Sequence, residues 1–217
     1  MIDKKEILLQ AAEELFGENG FEGTSMRQLA KKAGMNVAMV SYYFGSKDKL
    51  FEELVRRKTE KTRATIERAN REKQFPREKM EMVIETIVEN IFSNRHFHRL
   101  LYREITLEQR PLLNDTIGEI LLGNKKRIRH MIEEGIAAGD FRKVDVDLCI
   151  ATIFGTINSV LISEKLTLKM FGEKNLKHLY PSLMMRLKKY LNDWLHVYLM
   201  KPNSRPRSRK KIKFKNA

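Results

Sequence analysis

Apolar residues return at three- and four-residue intervals along most of the chain, the period of helices that bury one face. Ile7, Leu8, Ala11, Ala12, Leu15 and Phe16 follow a capping pattern of Asp3 and Glu6, which predicts a first helix running to Gly17. Asn19-Gly20 then supplies a turn, and Phe21 returns to the same core. Ser25 and Gln28 form a second capping box before MRQLAKKA, whose Met26, Leu29, Ala30 and Ala33 share one side. Gly34 stops that helix, and Asn36 is the expected N-cap of a short third one, Val37 to Phe44. Two short helices joined through a Gly-containing turn of this length make a helix-turn-helix pattern.

At about 100° per residue, Val37, Val40, Ser41 and Phe44 of the third helix point one way, and Ala38, Met39, Tyr42 and Tyr43 the other. An outer face of Ala, Met, Tyr and Tyr is too apolar for an idle solvated surface. Taken alone, it fits either a packing partner within the protein or the major groove of DNA, where small apolar groups meet thymine methyls and tyrosine hydroxyls meet phosphates. The flanks favour DNA. Ser46 caps the following helix with Lys47 and Lys49 beside its N-terminus, and Arg27, Gln28, Lys31 and Lys32 lie opposite the apolar stripe of the second helix.

Beyond residue 47 the stretch EELVRRKTEKTRATIERA is polar and basic, the pattern of a connecting helix. After Phe75-Pro76, Met80, Val83, Ile84, Ile87, Val88, Ile91 and Phe92 form one broad face. A short helix around Phe97 to Thr106 and a longer one from Pro111 to near Gly139 follow. LCIATIFGTINSVLIS, residues 148–163, is rich in β-branched residues, but its length and the spacing of Ile150, Phe154, Ile157 and Leu161 predict a helix. A final amphipathic helix carries Leu176, Leu179, Leu183, Leu187, Leu191, Trp194 and Tyr198, with Pro181 near its first turns. The expected fold class is all-α. A reading head spans residues 1–46, a larger helical domain 47–200, and a basic tail 201–217 that should be disordered.

Charge and composition sharpen this only in part. The net charge is +14, and the tail alone contributes eight basic and no acidic residues, so the excess that fits a polyanionic partner is largely terminal. The single Cys149 makes no intramolecular disulfide, and the charged start MIDKKEILLQ is unlike a signal peptide, so a reducing, cytoplasmic compartment is expected. The longest uncharged run, 16 residues, is shorter than the roughly 20 a bilayer needs, so no membrane segment is expected. No nucleophile elbow, P-loop or dinucleotide fingerprint is present, so neither catalysis nor a cofactor is implied. His96 and His98 lie two apart, which on a helix sends their rings to different sides. They are expected to be solvated or to line a pocket, not to hold a metal.

The run FGENGFEGTSMRQLAKKAGMNVAMVSYYFGSKDKLFEELV resembles the N-terminal domain of the tetracycline-repressor (TetR) family of transcription regulators, through G-F-x-x-T-S, L-A-x-x-A-G and Y-F-x-S-K in that order. The resemblance covers roughly the first 55 residues. It implies phosphate contacts from Tyr43 and Lys47, base contacts from Arg27 and Gln28, and a reading edge of Asn36, Val37, Ala38 and Met39; Ser25 and Tyr42 complete the candidate DNA-binding set. The chain departs from the family in having Ser41 where a tyrosine is usual, with the extra tyrosine at 42. The resemblance further implies a homodimer through the last two long helices on a partly palindromic double-stranded operator. It also implies release from that operator by a small-molecule effector. Phe92, Phe97, Leu101, Tyr102, Ile105, Met131, Phe154 and Asn158 are the candidate effector contacts. Gly155 and Ser159, four apart, leave room for another helix to approach closely, and the apolar stripes of these last two helices either meet a second subunit or fill the chain's own core. The alternative is a regulator of the same architecture that answers to a protein partner, without a small-molecule ligand.

Overall fold

The computed structural model describes residues 3–73 and 75–201; the expected tail, from residue 202 on, lies outside them. Among the described residues ten α-helices follow one another: α1 (Lys4–Asn19), α2 (Met26–Lys32), α3 (Val37–Phe44), α4 (Lys47–Glu72), α5 (Pro76–Ser93), α6 (Arg95–Leu107), α7 (Pro111–Ala137), α8 (Val146–Ser159), α9 (Glu164–Phe171) and α10 (Leu176–Leu199). No single described helix is long and apolar enough to cross a membrane.

Local capping chemistry sets most of the boundaries. The side chains of Asp3, Ser25, Asn36 and Ser46 each accept a backbone N–H in the first turn of the helix they precede, which satisfies a donor the helix leaves open. Gly17 does not end α1 as expected. A lone glycine costs a helix only about 1 kcal/mol, and α1 continues to Asn19, where Gly20 stops it with a left-handed φ of 75°. The expected single helix through residue 163 is also broken. The Asn158 carbonyl accepts from both Leu161 and Ile162, α8 ends at Ser159, and Ser163 caps the new helix α9.

Two apolar clusters hold the helices together. The first joins Leu8, Phe16, Phe21, Leu29, Val40 and Phe44 to the first half of α4, through Leu50, Phe51, Leu54 and Val55. It continues into Phe97, Leu100 and Leu101 of α6 and Leu113 and Ile117 of α7. Phe16, Phe21 and Phe51 stack and tilt at centroid distances of 5.1–5.5 Å, and Phe51 reaches Phe97 at 5.9 Å. The second cluster takes the end of α4 (Ile66, Ala69), then α5, the second half of α7, α8 and α10. The cores therefore do not part at residue 46: α4 and α7 each run through both, and the head's core is closed by α6.

On α10, Leu179, Leu183, Leu187 and Leu191 are buried in the chain's own second core. Its exposed apolar residues are others: Met185, Tyr190, Val197 and Tyr198, the last stacked on Trp194 at 5.2 Å. Leu148 of α8 is exposed too, and Gly155 has open space where a Cβ would stand.

Candidate nucleic-acid interface and ligand cavity

The capping box at α2 is complete: Ser25 Oγ accepts the Gln28 N–H, and Gln28 Oε1 accepts the Ser25 N–H at 2.7 Å and its hydroxyl at 2.8 Å. That cap occupies the acceptor of Gln28 and places exposed Arg27 and Gln28 together at the start of α2. Gly34, with φ 65°, turns the chain, and Asn36 Oδ1 accepts the Met39 N–H at 2.8 Å to start α3.

On α3 only Val40 and Phe44 of the expected inner face are buried. Ser41 is exposed and Val37 is 38% exposed, so the start of this two-turn helix stands clear of the core. The outward set holds for Ala38 and for Tyr42, which is 84% exposed. Met39 is half-buried, and half-buried Tyr43 packs on the head's core and meets Tyr42 edge to face at 5.4 Å. Arg27, Asn36, Val37, Ala38 and Tyr42 thus share an exposed surface at the helix-turn-helix.

Lys47 and Lys32 are engaged within the head. The Lys47 ammonium donates to the carbonyls of Phe21 and Thr24 at 2.9 and 3.0 Å and lies 4.4 Å from the centre of the Phe21 ring. Burial lowers its pKa from the ordinary lysine value. Lys32 of α2 pairs with Glu14 of α1 at 2.8 Å, and the pairing lowers the Glu14 pKa and raises that of Lys32. Across the loop, the Arg110 guanidinium lies 4.3 Å from the centre of the same Phe21 ring and pairs with Glu22 and with Glu104. The α6–α7 junction thereby grips the α1–α2 loop of the head.

Beneath the head, α4, α5, α6, α7 and α8 line a partly open cavity of about 100 Å³. Four of the expected effector contacts line it: Phe97, Leu101, Tyr102 and Phe154. Asn158 stands behind them, accepting the Nε2–H of His98 at 2.8 Å and donating to the Tyr102 hydroxyl. His98 and Tyr102 are one helical turn apart on α6, so one amide from α8 fixes both rings. Burial lowers the pKa of His98 and raises that of Tyr102. His96 instead faces solvent and meets Arg99 through Nδ1 at 2.8 Å.

The other four candidates lie elsewhere. Phe92 packs against Tyr180 at 6.0 Å, Met131 is 2% exposed within the second core, and Ile105 packs on the head's core; none of these three lines the cavity, and Asn158 reaches it only through its neighbours. Missed were Lys58, Thr59 and Thr62 on α4, Asn90 on α5, Asn94 between α5 and α6, and Asn124 and Lys125 on α7. A signal existed: Asn90 and Asn94 stand four apart beside an apolar stripe, as does Asn124 between Ile117 and Ile128. Their amides bind backbone, Asn90 to the Lys58 carbonyl at 2.8 Å and Asn124 to that of Thr59 at 3.0 Å. Among the described residues no three His, Cys, Asp or Glu side chains converge as metal ligands.

Comparison with known proteins places this architecture. The family model described as bacterial regulatory proteins, tetR family, matches residues 8–54, and that of the tetracyclin repressor-like C-terminal domain matches residues 73–162. The probable HTH-type transcriptional regulator YttP of Bacillus subtilis is 34% identical over 136 residues, 62% of this chain and 65% of that protein, slightly under two thirds of its length. The fatty acid metabolism regulator protein of Bacillus subtilis is 29% identical over 163 residues, 71% of this chain and 79% of that one. Among solved structures, the transcriptional regulator FadR from Bacillus subtilis in complex with stearoyl-CoA aligns with a TM-score of 0.68 at 25% identity, covering 88% of this chain and 96% of its own. These relatives are named as regulators, not as enzymes.

Proposed function

The chain belongs to the TetR family of bacterial regulatory proteins, and on that premise we propose that it is a sequence-specific DNA-binding transcriptional repressor released from its operator by a small molecule. Residues 1–46 read DNA. Asn36, Val37, Ala38 and Met39 enter the major groove at the start of α3, Ser25, Arg27 and Gln28 flank them from α2, and Tyr42 and Tyr43 hold phosphates. Lys47 supports this surface from behind by fixing the loop before α2.

One observation carries the effector half of the reading: the cavity shares a wall with the head. Val55 belongs both to the head's core and to the cavity lining, and Lys58, Thr59 and Thr62 continue that wall along the same helix. An occupant therefore presses on the helix from which the head is hung. It shifts DNA binding by as much as it prefers one placement of α4 over another.

Residues 47–200 also carry the dimer contact in this reading. Leu148 and Gly155 on α8 and Met185, Tyr190 and Val197 on α10 leave an apolar outer face uncovered within one chain. A twofold pair sets two α3 helices on half-sites spaced by whole turns of a partly palindromic operator. Selection of bound sequences from random duplex DNA, followed by sedimentation of the chain alone and on the selected duplex, tests the proposal. An inverted-repeat consensus bound by a dimer is expected; a monomer binding with full affinity, or no enrichment of any sequence, overturns it.

A further inference from the structure

Among the described residues, the side chains that line the cavity include two lysines and no carboxylate: Lys58 from α4 and Lys125 from α7. The remaining wall is largely apolar, with Val55, Ile87, Ile91, Phe97 and Leu101 prominent. Asn90 and Asn124 each donate an amide N–H to a backbone carbonyl. What the cavity offers an occupant is positive charge set into an apolar wall.

Lys58 also looks outward from the cavity. Of its three ammonium donors, one goes to Glu13 of α1, at 2.6 Å, and one to Asn94 Oδ1, at 2.7 Å. Lys58 is 19% exposed and Glu13 35%, so the pair joins the cavity wall to a carboxylate still half in water. A carboxylate placed inside, beside Lys58, meets the ammonium where water screens it least. Lys125 of α7, 5.5 Å from the centre of the Phe154 ring, adds a second lysine to the lining.

We propose that the effector is a compact organic anion, a carboxylic acid with a short apolar body, and that it signals by drawing the Lys58 ammonium away from Glu13. This deepens the regulator reading above and rests on it. The size follows from the cavity: about 100 Å³ is less than the roughly 150 Å³ apolar cavity that takes up benzene, so a long acyl chain does not fit it. The signal follows from the ion pairs. Lys5–Glu53, Arg57–Glu6 and Lys58–Glu13 tie α1 to α4, and of these three only the last has its basic residue among those that line the cavity. Losing it loosens α1, and with it the head, from the helix that senses the ligand.

The test uses the full chain, with butanoate and its neutral counterpart butanol as probes, titrated calorimetrically into the natural sequence, Lys58→Met and Glu13→Gln. The natural sequence should bind butanoate at least about tenfold tighter than butanol, and Lys58→Met, with an unchanged circular dichroism spectrum, should lose that preference. Glu13→Gln removes the rival for the ammonium. It should bind butanoate more tightly, and butanoate should no longer lower its affinity for the selected duplex, as linkage requires. Absence of butanoate binding at millimolar concentration, equal binding of butanol, or a preference kept in Lys58→Met each overturns the proposal. If Lys58→Met does not fold, unchanged or weaker butanoate binding by Glu13→Gln overturns it. None of these titrations needs DNA except the last, so failure here is distinct from failure of the regulator reading, which shows as no selected duplex.

Discussion

The ammonium of Lys47 donates to the carbonyl oxygen of Phe21 at 2.9 Å and lies 4.4 Å from the centre of the same residue's ring. With the bond to Thr24 at 3.0 Å, it closes the loop that sets α2 against α4. Lys47→Met keeps the stem and removes the donors, leaving two carbonyls short of partners. It should lower stability by about 1–3 kcal/mol and weaken binding to all duplexes alike, with the salt dependence unchanged. Thermal melts and binding at several salt concentrations check this. A salt slope lower by about one, with stability intact, would make Lys47 a phosphate contact instead.

Tyr42 gives the opposite pattern. At 84% exposure it contributes little to the core, touching Tyr43 edge to face. Tyr42→Ala should therefore change stability by no more than about 0.5 kcal/mol while weakening operator binding. Melting temperature against affinity for the selected duplex separates the two effects, and an unchanged affinity would remove Tyr42 from the interface.

These two residues show what a sequence reveals. The caps at Ser25, Asn36 and Ser46 were legible because each bond spans three residues, as did the outward turn of Tyr42, which follows from helical period alone. The bonds that Lys47 makes within the head are not legible in the sequence because its acceptors lie 26 and 23 residues away in the chain. Lys58 and Asn94 escaped for the same reason, since a cavity is made by helices distant in sequence. The leucines of α10 announced a buried face, but periodicity does not say against whom: they fill the chain's own core. The helix across 148–163 broke at a place where polar Asn158, Ser159 and Ser163 redirect backbone bonds, a detail that an apolar pattern does not record.

The buried ring of His98 predicts how stability follows pH. Burial drives its pKa below the ordinary 6.5, against a smaller opposing effect of the bond from Nε2–H to Asn158. Between that lowered value and 6.5 the unfolded chain binds the proton that the folded chain refuses, so stability rises with pH across this window and falls as pH drops below 6.5. His96, exposed but lowered by partial desolvation and then by the charges of Arg95 and Arg99, follows the same trend more weakly. Carboxylates such as Glu14 and Glu89, held low by Lys32 and Lys188, lose their contribution only below their ordinary 4.5. Melting temperatures taken between about pH 7.5 and about pH 5.5 should therefore fall on acidification, and His98→Gln should flatten the slope. An equal slope in the variant would place the titration elsewhere.

Arg110 joins the two halves of the chain, and its partner Glu104 makes the consequence measurable. Glu104 is only 5% exposed and accepts from Arg110 at 2.9 Å, with Arg103 a longer 3.3 Å away. Arg110 also pairs with Glu22 and covers the Phe21 ring at 4.3 Å, both in the loop between α1 and α2. Arg110→Met leaves the buried carboxylate with one weak partner, a loss that costs about 3 kcal/mol when a buried pair is broken from one side. Adding Glu104→Gln removes the stranded charge, so the double variant should recover a good part of that loss, and a double-mutant cycle by chemical denaturation measures the coupling. Additive losses would mean that the two residues act independently. The same Arg110→Met variant should lower affinity for every duplex by a similar factor, because it loosens the seat of the head without touching its reading surface.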